Sequence, residues 1–462
     1  MAAESLTPLA ATDLQMATLL NNARTTQDNS LAMIPSVNHT SAAVREAVGS
    51  PLDHYYSEGY PPERDEDGKL KGGRYYQDQE VPNAVELLVR ERAKALFGVP
   101  YVNVQPLSGS PANMEVYAAL LLDNDRQGKI MGLNLPSGGH LTHGAPASYT
   151  SRFFTSISYD TNPEGFIDYD ALGLLAQDAR PDILVAGTTA YARLLDWERF
   201  RNIADKSGAL LLADISHLAG LIAGGAYPSP VEHADIITTT THKTLRGPRA
   251  AMIMVTKRGL KRDDRMGDKI DKTVFPGFQG GPHINTIAGI GVALHEATQP
   301  AFTYYAKQVV ANASVLANAL IERGIQLVTG GTDSHLFLID LRKNNGLTGN
   351  TVAEGLERAG IKINRNTVPH DEGSALYPSG IRIGTPAITS RGMGETEMKQ
   401  IAGYIADSIH GFAGRKEELG FDRKAETKRA NRDAITNAKF VQDVRAGVID
   451  LCEHFPIPDA YI

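Results

Sequence analysis

Residues 236–249 read IITTTTHKTLRGPR. An apolar, β-branched start that passes into threonine is the composition of a strand end, and His242, Lys243 and Arg249 follow directly. Ligands of open α/β sheets bind beyond the carboxyl ends of strands, so a lysine placed here can project into a crevice. Around it stand ILVAG (183–187), ALLLAD (209–214), DIITTT (235–240) and AMIMVT (251–256), the first three separated by helical or loop segments. Short apolar runs in that arrangement predict buried strands of an α/β sheet covered on both faces. Asp214 closes ALLLAD and so shares the rim with Lys243; a buried aspartate needs a cationic partner.

Upstream, AVELLVRERAKALF (84–97) carries Val85, Leu88, Val89, Leu96 and Phe97 at helical spacing, with Asn83 and Glu86 as a cap and Gly98 and Pro100 as the stop. Ser108-Gly109-Ser110-Pro111 reads as a tight turn entering a helix. A lysine and an aspartate on adjacent strand ends, with a helix start to take phosphate, are the parts that pyridoxal phosphate requires. Taken singly, each has an ordinary alternative: a solvated lysine, a structurally paired aspartate, a plain turn. From about residue 303 the pattern changes to a long helix, then IQLVTG, HLFLIDL, NTVAEGLERAG, IKIN and GIRIG, which predicts a smaller α+β unit with a boundary near 295–305. Residues 63–73 (ERDEDGKLKGG) have the composition of an exposed loop, and 415–432 that of a solvated helical surface.

A chain of 462 residues suggests two or three packing units. Its net charge of −7 argues against a dedicated nucleic-acid binder. The single cysteine, Cys452, excludes an intrachain disulfide framework and a cysteine-built zinc site. No run approaches the ~18 apolar residues of a membrane span. The start MAAESLTPLAATDLQ has no basic region followed by a long apolar core, so a cytoplasmic location is expected. His140 and His143 are three apart but have no carboxylate or cysteine partner in the sequence, and no metal is expected.

Seven stretches, TTTTHKTLRGPR, ADISHLAG, NVQPLSGSPANMEVY, GGHLTHG, YSEGYP, FPGFQGGP and SGIRIGTPAIT, closely resemble the motifs of the serine hydroxymethyltransferase family and occur in that family's order. The resemblance implies a fold-type I pyridoxal-phosphate transferase, with an N-terminal arm (1–45) at a dimer interface, a large cofactor-binding α/β domain (46–300) and a small α+β domain (301–462). It further implies a homodimer or a tetramer with shared sites, tetrahydrofolate as co-substrate, and reversible conversion of serine to glycine. Position by position, Lys243 would hold the cofactor, flanked by Thr240 and His242. Asp214 would pair with its ring nitrogen, His217 would meet the phenolic oxygen, and His140 would stack on the ring. Ser108, Gly109 and Ser110 would bind phosphate, with Tyr56, Gly280 and Gly281 reaching across from the partner. Thr189, also on the cofactor side, stands where the family commonly has serine. Arg382, helped by Ser36, would hold the amino-acid carboxylate, with Arg249 and Gly139 also on the substrate side. Glu58 and Tyr76 would serve proton transfer, and Leu135, Leu141 and Asn366 fall where the family holds the pteridine.

Some positions depart from the family pattern. Pro35-Ser36-Val37-Asn38 replaces Ala-Ser-Glu-Asn, the 63–73 stretch intervenes between Glu58 and Tyr76, Gln77-Asp78 replace a glycine pair, Leu107 replaces a common histidine, and Ala250-Ala251 replace another glycine pair. These departures keep a second reading open: a relative acting as an aldolase, transaldolase or methylserine hydroxymethyltransferase on another β-hydroxy or α-methyl amino acid.

Overall fold

The computed structural model describes residues 7–64, 67–122, 127–344, 346–373, 377–415, 419 and 429–458. Its central sheet has seven strands: β1 (Tyr101–Asn103), β2 (Lys129–Leu133), β3 (Thr155–Tyr159), β4 (Ile183–Gly187), β5 (Leu210–Asp214), β6 (Ile236–Thr240) and β7 (Ala251–Val255), in the spatial order β1-β7-β6-β5-β4-β2-β3. Strands β2 to β6 run parallel, and β7 is antiparallel to both β6 and β1. Alternate residues along one strand point to opposite faces. Thus Leu184, Ala186, Leu211 and Ala213 join one core, while Ile183, Val185, Leu212 and Ile236 join another behind the sheet. That double burial is why these strands read as unbroken apolar runs. No comparable signal marks β1, β2 or β3 in the sequence. β3 is an edge strand of sequence TSISY with mixed exposure, and β1 is only three residues long.

A second core lies under the antiparallel strands β8 (Leu336–Asp340), β9 (Asn364–Asn366) and β10 (Gly380–Gly384), ordered β8-β10-β9. The helix Pro300–Ile321 serves both cores, giving Phe302, Tyr305 and Val309 to the first and Leu316 and Leu320 to the second. Near the N-terminus, Leu31–Ala32 pairs in parallel with Ile361–Lys362. The Gly384 N–H then donates to the Met33 carbonyl (2.9 Å), and a Cβ on Gly384 would meet Pro35 at 2.7 Å. Ser36 is thereby held against the end of β10, the strand that carries Arg382.

Four local expectations change. The 63–73 stretch is not wholly loop: Gly59–Arg64 and Leu70–Arg74 form an antiparallel hairpin, with Gly59 opposite Arg74, Tyr60 opposite Gly73 and a bulge between Tyr60 and Glu63. The helix after it begins at Glu80, so Asn83 lies inside it rather than capping it; the buried Arg74 needs acceptors and its Nε donates to Asn83 Oδ1 (3.0 Å). IQLVTG contributes only a bridge from Leu327 to Ile339 and a short 3-10 turn. IKIN is split between Ile361–Lys362, which pairs with the N-terminal segment, and β9, which pairs with β10. Of the 415–432 surface, residues 416–418 and 420–428 lie outside the described residues; a helix runs from Arg429 to Asn437.

Candidate active site

The carboxyl ends of β4, β5 and β6 bring Thr189, Asp214, His217 and Lys243 to one rim. Asn38 Nδ2 donates to the Lys243 carbonyl (3.0 Å), which fixes the lysine's backbone. Burial, with Arg382 and Arg249 adding repulsion, lowers the Lys243 amine to about 8 against the pull of Asp214. A lysine so placed is readily deprotonated and nucleophilic.

Asp214 is buried, and burial alone would raise its carboxyl. Its partners outweigh that and hold it well below the ordinary carboxylate range. His143 Nε2 lies 3.0 Å from Oδ2, Asn113 Nδ2 donates to the same oxygen (2.9 Å), and the Ser216 N–H donates to Oδ1 (3.0 Å). The tautomer of His143 follows from its other nitrogen. The His140 N–H donates to Nδ1 (3.2 Å), so Nε2 carries the proton given to Asp214. Asn113 and His143 were not assigned to the site from the sequence, although GGHLTHG and SGSPANM contain them. Three residues beyond His140 and five beyond Ser108, they were the neighbours to suspect once Asp214 was known to be buried.

Arg382 is 9% exposed. Its Nη2 donates to Asn364 Oδ1 (2.9 Å) and its Nη1 to the Thr189 carbonyl. Burial lowers it to about 10, and among the described residues no carboxylate pairs with it. A buried cation without an anion is costly, so this site is built to receive one. Thr189 also donates its hydroxyl to the carbonyls of Gly138 and Gly139 (3.3 and 3.2 Å), which ties the His140 loop to Arg382. His140 itself is half-buried, lowered to about 4 chiefly by burial, and accepts from the Thr142 N–H at Nδ1.

At the helix start, Ser108 is the N-cap of Gly109–Leu121 yet makes no side-chain cap bond, which leaves its hydroxyl and the first-turn N–H groups for an anion. Gly109 has to be glycine: a Cβ there would meet Thr240 Cγ2 at 2.6 Å. Thr240 is fixed by the Ser216 hydroxyl, which accepts from its N–H (3.0 Å). His242 Nδ1 is buried without a partner, whereas Arg249 is exposed. An amine near neutrality, a carboxylate kept ionised, a phosphate-ready turn and an unpaired guanidinium fit pyridoxal phosphate carrying an amino acid.

A second cluster is built from one continuous region and its neighbour. The Tyr76 hydroxyl donates to Glu58 Oε2 (3.2 Å), and the Tyr56 and Tyr76 rings meet edge to face at 5.1 Å. A Cβ on Gly280 would come within 3.3 Å of Glu58 Oε1, and one on Gly281 within 3.5 Å of the Tyr56 ring. Partial loss of water and the bond to Glu58 raise the Tyr76 hydroxyl, so it keeps its proton. Arg74 fixes the turn: Nη1 donates to the carbonyls of Ser57 and Gly59, on either side of Glu58 (2.8 and 2.6 Å), and Nη2 pairs with Glu86 (2.7 Å). Among the described residues no hydrogen bond or ion pair joins Glu58, Tyr56 or Tyr76 to Lys243, Asp214 or Arg382. The link is indirect: Gln279 Oε1 accepts from the Leu107 N–H (3.0 Å), and its Nε2 donates to the Gln105 carbonyl (2.9 Å). Leu135, Leu141 and Asn366 flank the His140 loop. The Thr367 hydroxyl donates to the Pro136 carbonyl (3.3 Å), and Asn366 Nδ2 to the Thr367 carbonyl (2.7 Å).

Comparison with known proteins gives the family. A family model described as serine hydroxymethyltransferase matches residues 9–405. The chain is 47% identical over 456 residues to the serine hydroxymethyltransferase of Acidothermus cellulolyticus, covering 98% of each. It is 45% identical over 455 residues to that of Desulfotalea psychrophila, covering 98% of this chain and 97% of that one. With the mitochondrial serine hydroxymethyltransferase of Eremothecium gossypii it shares 43% over 466 aligned positions, 96% of this chain and 91% of that one. On matches of this length and identity, the chain belongs to the serine hydroxymethyltransferase family.

Proposed function

We propose that the protein transfers the hydroxymethyl carbon of serine reversibly to tetrahydrofolate, giving glycine, 5,10-methylenetetrahydrofolate and water, with pyridoxal phosphate as cofactor. The observation that carries this reading is Arg382, a buried guanidinium with no acidic partner among the described residues, beside a half-buried lysine and an ionised aspartate. The cofactor, when bound, supplies a sink for the electrons left on Cα as the Cα–Cβ bond breaks.

The chain's own residues do the rest. Lys243 holds the cofactor covalently, and Asp214 keeps the proton on its ring nitrogen, steadied by His143 and Asn113. Ser108, Gly109 and Ser110 would take its phosphate, His140 would lie against its ring, and His217 would meet its phenolic oxygen. Arg382, with Ser36 beside it, grips the substrate carboxylate and thereby sets which Cα bond is aligned for cleavage. Glu58 moves a proton between the departing hydroxyl or the folate nitrogen and Oε1, while Tyr76 holds Oε2. Leu135, Leu141 and Asn366 border the pteridine. The inserted hairpin, one of the departures behind the aldolase reading, leaves the Glu58–Tyr76 hydrogen bond intact.

We further propose that the second cluster serves a partner's site in a homodimer. Tyr56 and Tyr76 are exposed, and the helix Leu14–Asp28 buries no residue while Leu14, Leu19 and Leu20 are exposed. Large apolar side chains left bare in this way mark an interface. No helix among the described residues is long and apolar enough to cross a membrane, and the single, buried cysteine suits the reducing cytoplasm. The test is formation of 5,10-methylenetetrahydrofolate from serine and tetrahydrofolate by the cofactor-loaded protein. Cleavage of a bulky β-hydroxy amino acid with no folate dependence of the serine reaction would favour the aldolase instead. Loss of activity on dilution, in step with dissociation seen by light scattering, is expected of a shared site.

A further inference from the structure

His335 has no place in the machinery described so far, yet it touches it. It precedes β8 in the small unit, whereas His217 follows β5 in the large one; His335 is 1% and His217 3% exposed. His217 Nδ1 and His335 Nε2 are 3.1 Å apart. The ring centroids are 5.3 Å apart and the planes 30° from parallel, as in two imidazoles joined by one in-plane N–H···N bond. Both backbones are fixed: the Thr244 hydroxyl donates to the His217 carbonyl (2.9 Å), and the Thr385 N–H to the His335 carbonyl (3.1 Å).

Two facts choose the donor. Burial, together with the cations of Lys243 and Arg382, keeps both rings unprotonated, His335 lowered to about 3 and His217 well below its ordinary value. Of two neutral imidazoles in contact, one gives its proton and the other a lone pair. His335 Nδ1 is buried with no partner. If His335 were the acceptor, its proton would lie on Nδ1 as a buried, unpaired N–H donor. If it is the donor, Nδ1 is a bare lone pair, and a buried acceptor left unpaired is tolerated better than a buried N–H.

We propose that His335 is a positioning residue of the active site: its Nε2–H donates to His217 Nδ1 and holds His217 in the tautomer whose own proton is on Nε2. His217 Nε2 has no partner among the described residues, and as an N–H it suits an anionic oxygen, the class to which the cofactor's phenolate belongs. The proposal rests on His217 as a neighbour of the cofactor.

The tautomer can be read without the cofactor. In cofactor-free protein with histidine-selective 15N labelling, His217, assigned by its loss in His217→Asn, is expected to show a bare Nδ1 and a protonated Nε2. His335→Phe, which keeps a ring but removes the donor, should abolish that preference, and His335→Gln, whose amide can still donate, should keep it. In loaded protein His335→Phe should shift the visible absorbance band and its pH dependence. It should also lower kcat by roughly two- to tenfold, the worth of one hydrogen bond, with the KM for serine within about twofold; His335→Gln should recover most of this. A protonated Nδ1 on His217 in the wild type overturns the proposal, as does a His335→Phe spectrum identical to it. Should His335→Phe fail to fold, the wild-type and His335→Gln spectra decide. An unaltered absorbance band in loaded His217→Asn would instead remove His217 from the cofactor, leaving the tautomer result standing on its own.

Discussion

The two halves of the site are made differently. Around the half-buried Lys243, the groups Asp214, His217 and Arg382 are buried, and several of the site's residues are gripped by a second one: Asp214 by His143 and Asn113, Thr240 by Ser216, the Lys243 backbone by Asn38. Around the half-buried Glu58, the Tyr56 and Tyr76 rings are exposed beside a hairpin, on a turn steadied from beneath by Arg74. In the first half, Lys243, Asp214 and His217 stand on the strand ends and loops of one sheet. The second presents its aromatic rings outward and needs another surface to enclose a substrate. The difference teaches that substitutions in the first half should remove cofactor chemistry, and those in the second should spare it while removing transfer.

The largest effect should come from Lys243→Ala, which leaves no amine to hold the cofactor. Visible absorbance of the bound cofactor and serine–folate turnover should both vanish; a retained band with turnover would move the attachment elsewhere. Next, Glu58→Gln keeps size and hydrogen bonding but cannot shuttle a proton. Serine-to-folate transfer should fall by about 10²–10⁴-fold, while glycine still perturbs the cofactor spectrum because Lys243, Asp214 and Arg382 are untouched. Full transfer activity would break the division between the halves.

Glu86→Ala tests what lies beneath the second half. Arg74 and Glu86 side chains are 2% and 1% exposed, and Gln105 also donates to Glu86 (3.0 Å). Removing one partner of a buried pair typically costs ~3–5 kcal/mol, to be read from the denaturant midpoint. Arg382→Ala should act in the opposite half, raising the KM for serine and glycine by the ~1.5–3 kcal/mol of a charge-assisted contact. The holoprotein's absorbance should survive, since Lys243, Asp214 and the Ser108 turn are untouched and Arg382 reaches Thr189 only at its carbonyl. Unchanged KM values would make it a purely structural arginine.

The contrast also explains what the sequence made legible. Strands β4 to β7 could be read because both faces are covered, which forces apolar runs, and their ends pointed to Asp214 and Lys243. The resemblance then supplied Glu58, Tyr76 and Arg382, which composition and periodicity could not: Glu58 and Tyr76 meet only because a hairpin folds back, and no local pattern announces the pairing. Residues whose work is to hold another residue were the hardest to see. Asn113, His143 and Asn38 owe their roles to contacts 101, 71 and 205 positions away in sequence. Asn83 looked like a helix cap because the demand of Arg74 for an acceptor arises only in three dimensions.

The smallest effect probes whether the inserted hairpin supports Glu58 or merely extends from it. Glu63 lies near its far end and pairs with Arg90 at 2.7 Å, their side chains 40% and 10% exposed. Glu63→Gln removes that charge pair. The glutamate is half in water, where ion pairs are worth about 0.2–1 kcal/mol and are weakened by salt. Arg90 also keeps favourable interactions with Glu86 and Asp271, so its charge is not stranded. On the near side the turn is held independently: Arg74 bridges the Ser57 and Gly59 carbonyls, and the Tyr60 hydroxyl donates to the Asp271 carbonyl (2.7 Å). Glu63→Gln should therefore lower stability by no more than ~1 kcal/mol, less at high ionic strength, and leave serine–folate transfer within about twofold of the wild type. A much larger loss of transfer at unchanged stability would mean that the hairpin steers Glu58 directly, and the boundary between the two halves would move outward to include it.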